Sequence, residues 1–183
     1  MTTAQHFRDP LLLAGQALTV LLQILMTIAG IGFLVAIPAL VLFHDRIVAE
    51  LANNLGPQAA DLPVYPMVGV MALALVAVIL IFLFFENLRR IIGTVGAGDP
   101  FAPDNAARLG VMAWLLLAVQ LIDIPIAAIG ASVSDWVADL GEGSLIFTSD
   151  VDFTGFLMVI VLFILARVFK LGAAMRDDLE GTV

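Results

Sequence analysis

Of the 183 residues in the chain, 62% are apolar and only 13% are charged. A soluble domain is about 45–50% apolar and about 25% charged, so these values exclude an ordinary water-soluble enzyme, and a disordered chain as well. The formal net charge of −8 argues against nucleic-acid binding through a basic surface, and the absence of cysteine excludes disulfides, thiolate metal sites and cysteine nucleophiles.

The apolar surplus is concentrated in four segments, which predict an all-α integral-membrane bundle of four spanning helices in a single domain covering 1–183. The first segment, 11–43, contains no charge and is longer than a single crossing of about 20 residues requires. Pro38 can kink it, and its length far exceeds the roughly 7–15 apolar residues of a cleaved signal core, so it is read as a retained span. The outer loop 44–66 follows, with no helix predicted in it. His6 and His44 stand at opposite ends of segment one and cannot share a haem.

Segment two, 67–85, is one crossing. The hairpin 86–108 then reads Glu86-Asn87-Leu88-Arg89-Arg90-Ile91-Ile92, followed by Gly93, Gly96, Gly98-Asp99-Pro100-Phe101 and Asp104-Asn105-Ala106-Ala107-Arg108. The spacing predicts that helix two continues beyond its apolar run, with Glu86 and Arg90 paired at i and i+4, and stops at Gly-Asp-Pro. Asp104 or a neighbour is expected to cap the next helix. The glycines do not make a phosphate loop, because no Lys-Ser or Lys-Thr follows them.

Segment three, 109–131, carries Gln120, Asp123 and Pro125. A carboxylate well inside a span costs about 2.5–3.5 kcal/mol on insertion scales, so Asp123 is a candidate for holding a cation or a proton. Gln120, three residues earlier, is expected to share its face, and Gln16, Gln23 and Thr27 of segment one are candidate neighbours. The competing reading is a structural or water-facing carboxylate. The outer loop 132–152 is acidic. Within it 134–140 can form an interfacial helix bearing Trp136, and Leu145-Ile146-Phe147-Thr148 a short strand. Asp135 and Asp139 share a helix face near Glu142, but no calcium-loop pattern is present and no metal or other cofactor is expected. Gly32 with Ala36, and Ala127 with Ala131, have the spacing that permits close helix approach.

Segment four, 153–169, continues into a tail where Val168, Phe169, Leu171 and Met175 alternate with charges, predicting an amphipathic helical extension that ends near Gly181 and can either pack on the hairpin or bind a partner. Orientation follows from the basic residues. Seven of the eight (Arg8, Arg89, Arg90, Arg108, Arg167, Lys170, Arg176) fall on one side of a four-span topology and only Arg46 on the other, so both termini are expected in the cytoplasm. The basic hairpin and tail are the candidate partner-binding face: Arg89, Arg90, Phe101, Asn105, Arg108, Arg167, Lys170 and Arg176; the competing reading of the hairpin is that its basic residues meet anionic lipid. No nucleophile–base pair or paired intramembrane carboxylates are evident, and enzymatic activity is not expected.

Leu88-Arg89-Arg90-Ile91, Gly98-Asp99-Pro100-Phe101, Asn105, Arg108-Leu109 and Trp114, with Ala166-Arg167-Val168-Phe169 and the terminal Met175-Arg176-Asp177-Asp178-Leu179-Glu180-Gly181-Thr182-Val183, resemble a family of uncharacterised bacterial four-span inner-membrane proteins. The resemblance runs from segment two onward. It implies residence in the bacterial inner membrane and, because such proteins are often encoded beside a small helix-turn-helix regulator, a membrane protein that binds a cytoplasmic regulator. A non-catalytic accessory subunit of a larger membrane complex and a small ion or solute transporter using Asp123 are the alternatives.

Overall fold

The computed structural model describes residues 10–56, 60–139 and 153–180. Five α-helices account for nearly all of them: α1 (Pro10–Leu42), α2 (His44–Leu55), α3 (Val64–Gly96), α4 (Pro103–Asp139) and α5 (Phe153–Glu180). No strand occurs among the described residues. Helices α1, α3, α4 and α5 are long and apolar enough to cross a membrane. In hydrocarbon every backbone N–H and C=O must find a partner within the chain, which a helix achieves by itself. At 1.5 Å per residue the 33 residues of α1 extend about 50 Å, well beyond a hydrocarbon core of about 30 Å.

The four apolar segments are the cores of longer helices. Helix α3 starts at Val64 and runs to Gly96, as the i, i+4 pairing at Glu86 predicts, and α5 continues as one helix to Glu180. Two expectations are corrected. The loop after segment one holds a helix, α2, separated from α1 by a single turn residue, Phe43. Its Ile47, Val48, Leu51 and Ala52 are partly buried while Asp45, Arg46, Glu50 and Asn53 are exposed, an amphipathic pattern too short to register as a span. The proposed interfacial helix at 134–140 is not a separate element, because α4 runs unbroken through Ser134 and Trp136 to Asp139. The expected strand at 145–148 lies outside the described residues.

The described residues form two compact units. Unit 1 takes in 10–26, 80–117 and 153–180. Its core is Ile91, Leu109, Met112, Ala113 and Leu162, with Phe84, Leu88, Phe163 and Phe169 packed around it. Met112 and Ala113 are essentially inaccessible. Trp114 meets Phe163 edge-to-face at 5.4 Å between centroids, joining α4 to α5. The first half of α1 lies along the end of α3: a Cβ built on Gly15 would sit 3.5 Å from Ile92 Cδ1, and one on Gly96 would sit 4.0 Å from Leu12 Cδ1.

Unit 2 takes in 27–56, 60–79 and 118–139. Leu62, Ala77, Gln120, Ala127, Gly130 and Val133 are its buried residues. Its helices approach closely at glycines. Gly30 faces Leu75 and Val78, and Gly69 faces Ile129, each at 3.8–3.9 Å from a Cβ built on the glycine. The small-residue pairs singled out in the sequence fall differently. Gly32 has nothing within 4 Å, and of the second pair Ala127 is buried while Ala131 is exposed.

Candidate functional site

In unit 1 the end of α3, the start of α4 and the last turns of α5 meet. Helix α3 closes with a Schellman motif: the Gly98 N–H donates to the Val95 carbonyl and the Asp99 N–H to the Thr94 carbonyl, both at 3.0 Å. Gly98 takes φ +85°, where any side chain bearing a Cβ is strained. Pro103 opens α4 at the first helical position, where its missing N–H is no loss. The expected cap therefore does not form at Asp104, which lies inside the first turn. From there its carboxylate favours the helix dipole and meets Arg108 Nη2 at 3.3 Å.

Asn105 holds this turn together. Its Nδ2 donates to Thr94 Oγ1 at 2.7 Å and to the Pro100 carbonyl at 3.0 Å, and its Oδ1 accepts from Arg108 Nη1 at 3.0 Å. Thr94 Oγ1 is also within hydrogen-bond reach of the Ile91 carbonyl, at 2.8 Å. One side chain thus ties the end of α3, the loop and the first turns of α4. Asn105 is 0% exposed. Its assignment to a partner-binding face is corrected accordingly: it presents no surface and acts inside the hairpin.

Helix α5 is fastened to the hairpin by a clasp. Phe101 stacks obliquely on Phe169, with centroids 5.4 Å apart, and its ring lies against Gly172. A Cβ on Gly172 would come within 2.6 Å of Phe101 Cδ1, so glycine is required for the ring to lie there. Beside it Arg176 Nη1 donates to Asp99 Oδ1.

One turn inside the hairpin, Glu86 collects three donors. Arg89 Nη2 reaches its Oε2 at 2.8 Å, Arg90 Nε reaches Oε1 at 2.8 Å, and Gln23 Nε2 of α1 donates to Oε2 at 3.0 Å. Two guanidiniums share one carboxylate, so the cluster keeps a net charge of +1. The Arg90 side chain is 60% exposed.

Most of the basic residues expected at the partner face are therefore already paired: Arg89 and Arg90 with Glu86, Arg108 with Asp104 and Asn105, Arg176 with Asp99. Arg167 and Lys170 are exposed on α5 and have no ion pair among the described residues. Phe101 is half-turned onto α5 and half-exposed. Sequence reasoning missed the roles of Gln23, Thr94, Asp99 and Gly172. The signal for Gln23 was present, since an amide inside an apolar run needs a polar partner.

In unit 2 Gln120 is buried and Asp123, three residues further along the same side of α4, is exposed. Asp135 is exposed on α4, Asp139 ends that helix, and Glu142 lies outside the described residues. Among the described residues there is no group of three or more His, Asp or Glu side chains that could hold a metal ion.

No curated protein and no solved structure matches the chain. Residues 47–183, from the first turn of α2 onward, match a family described as a protein of unknown function (DUF2975). The match includes the whole hairpin and α5 and leaves α1 outside it, and on this evidence the chain belongs to that family.

Proposed function

We propose that this chain is a non-catalytic regulatory anchor of the bacterial inner membrane, which holds a cytoplasmic partner, a helix-turn-helix transcription regulator, against the hairpin end of unit 1. The observation that carries the reading is the Glu86 cluster, which retains a positive charge on two partly exposed arginines beside a turn fixed by Asn105. A rigid, singly charged surface suits recognition of an acidic protein patch, since little ordering entropy is lost on docking. The basic-residue count supports a cytoplasmic position for this end.

The structure guides the choice of test. Reversing Arg89 and Arg90 to Glu would crowd carboxylates around Glu86 and disturb the contact with Gln23, so the neutral double variant R89Q/R90Q is the better probe. A C-terminally tagged chain is purified from native membranes in mild detergent. The small DNA-binding protein is expected with the wild type and lost from R89Q/R90Q, whose melting temperature and gel-filtration volume should remain close to wild type. Equal recovery of the regulator with both would overturn the proposal.

One observation favours the second reading, an accessory subunit of a larger membrane complex. Thr19 is the one buried residue of α1, and Leu13, Leu18 and Leu21 are exposed beside the charged end of α3, past its apolar run. In the same purification a large integral-membrane complex would support that reading.

A further inference from the structure

In unit 1 a groove of about 840 Å³ runs between the first turns of α4 and the face of α5. Its floor is shallow-sided because it is made of alanines, Ala106 and Ala107 on α4 and Ala166 and Ala173 on α5. Along α5 the groove residues Phe163, Arg167, Lys170, Ala174 and Asp177 follow one another at steps of four, three, four and three, so they form a single stripe. The stripe is graded. It begins on an aromatic ring in the apolar run, passes through two cations, and reaches a carboxylate about 10 Å beyond Lys170.

We infer that this groove seats one anionic phospholipid, with its acyl chain along Phe163 and Ile164 and its phosphate between Arg167 and Lys170. Charge complementarity carries the assignment. Among the basic side chains described in unit 1, these two have no ion pair, while Arg89, Arg90, Arg108 and Arg176 each have one. Arg167 is also the first charged residue on α5 after the apolar stretch from Phe153, which is the position at which a spanning helix meets the headgroups. Ile164, one turn earlier, is 59% exposed and offers the apolar wall an acyl chain needs. Asp177 stands beyond the phosphate level and disfavours a headgroup carrying a second phosphate there. This assignment goes beyond partner docking and removes Arg167 and Lys170 from the partner face.

The test uses the ring contact between Trp114 and Phe163, since Phe163 lines the groove. With W136F as background, Trp114 is the single tryptophan of the full chain. The protein is reconstituted in bilayers of phosphatidylcholine with increasing brominated phosphatidylglycerol, or with brominated phosphatidylcholine as reference, and quenching of Trp114 gives the relative affinity. Phosphatidylglycerol should be preferred by roughly ten-fold or more, given the typical contribution of two interfacial cations. R167Q/K170Q should lose the preference while keeping its helical circular dichroism and melting temperature, and R89Q/R90Q should retain it. Equal quenching by both lipids in the wild-type pair, as expected if a protein segment covers the groove, would overturn the assignment. So would a preference that survives in R167Q/K170Q, or one lost equally in R89Q/R90Q, which would indicate a diffuse basic surface.

Discussion

The contacts described in unit 1 and in unit 2 differ in emphasis. In unit 1 helices are joined by directed polar contacts: Asn105 to Thr94 and Pro100, Gln23 to Glu86, and Arg176 to Asp99. In unit 2 the close approaches are glycines against branched side chains, Gly30 on Leu75 and Val78 and Gly69 on Ile129. The contrast has a physical basis. Between two helices in lipid, small residues let the backbones approach closely, and packing there supplies much of the association. Where a helix turns back and its last carbonyls and charged side chains must be satisfied, packing alone is not enough.

The contrast is broken most severely at Asn105. Asn105→Ala removes the donors to Thr94 and Pro100 and the acceptor for Arg108, and leaves buried polar groups unsatisfied, at a cost of about 2–4 kcal/mol. Limited proteolysis should then cut within 97–102, and the melting temperature in detergent should fall; protection equal to wild type would show that the turn is held by other contacts.

A single substitution type sharpens the comparison next. Gly172→Ala places a methyl in the Phe101 ring, and the overpacking, about 1–3 kcal/mol, outweighs the gain of up to about 1 kcal/mol in helix propensity. Gly69→Ala meets Ile129 at ordinary van der Waals distance, so it should be neutral or slightly stabilising. Thermal unfolding of the two variants side by side should show a fall in melting temperature for Gly172→Ala and none for Gly69→Ala. Equal shifts would mean that Phe101 yields without cost.

The smallest effect is expected at the clasp's ion pair. Arg176 and Asp99 are 47% and 41% exposed, so solvent screening limits their coupling to at most about 1 kcal/mol. A double-mutant cycle with Asp99→Asn and Arg176→Gln should give that value at low ionic strength and less at about 1 M salt, where the Debye length is near 3 Å. Coupling that is insensitive to salt would indicate a drier contact.

Much of this was legible from the residues. The four long helices followed from apolar runs, the Glu86–Arg90 pairing from i, i+4 spacing, and the stop of α3 from Gly-Asp-Pro. Helix α2 was not, because a 12-residue amphipathic stretch disappears in a search for spans. The burial of Asn105 and the pairing of the arginines were not legible either, because a run of charges does not show which of them meet one another. Gln23–Glu86 and Asp99–Arg176 are 63 and 77 residues apart, and no local spacing rule reaches that far.

Those separations have a consequence for biosynthesis. The Asn105 contacts span only 11 residues to Thr94 and five to Pro100, so the α3–α4 turn can close as soon as both helices have left the ribosome. The Phe101 and Asp99 contacts wait for Gly172 and Arg176 at the far end of α5. A pre-formed hairpin is thus the template on which the final helix is received, and the two halves of the clasp report separately on the insertion of α3–α4 and on the arrival of α5.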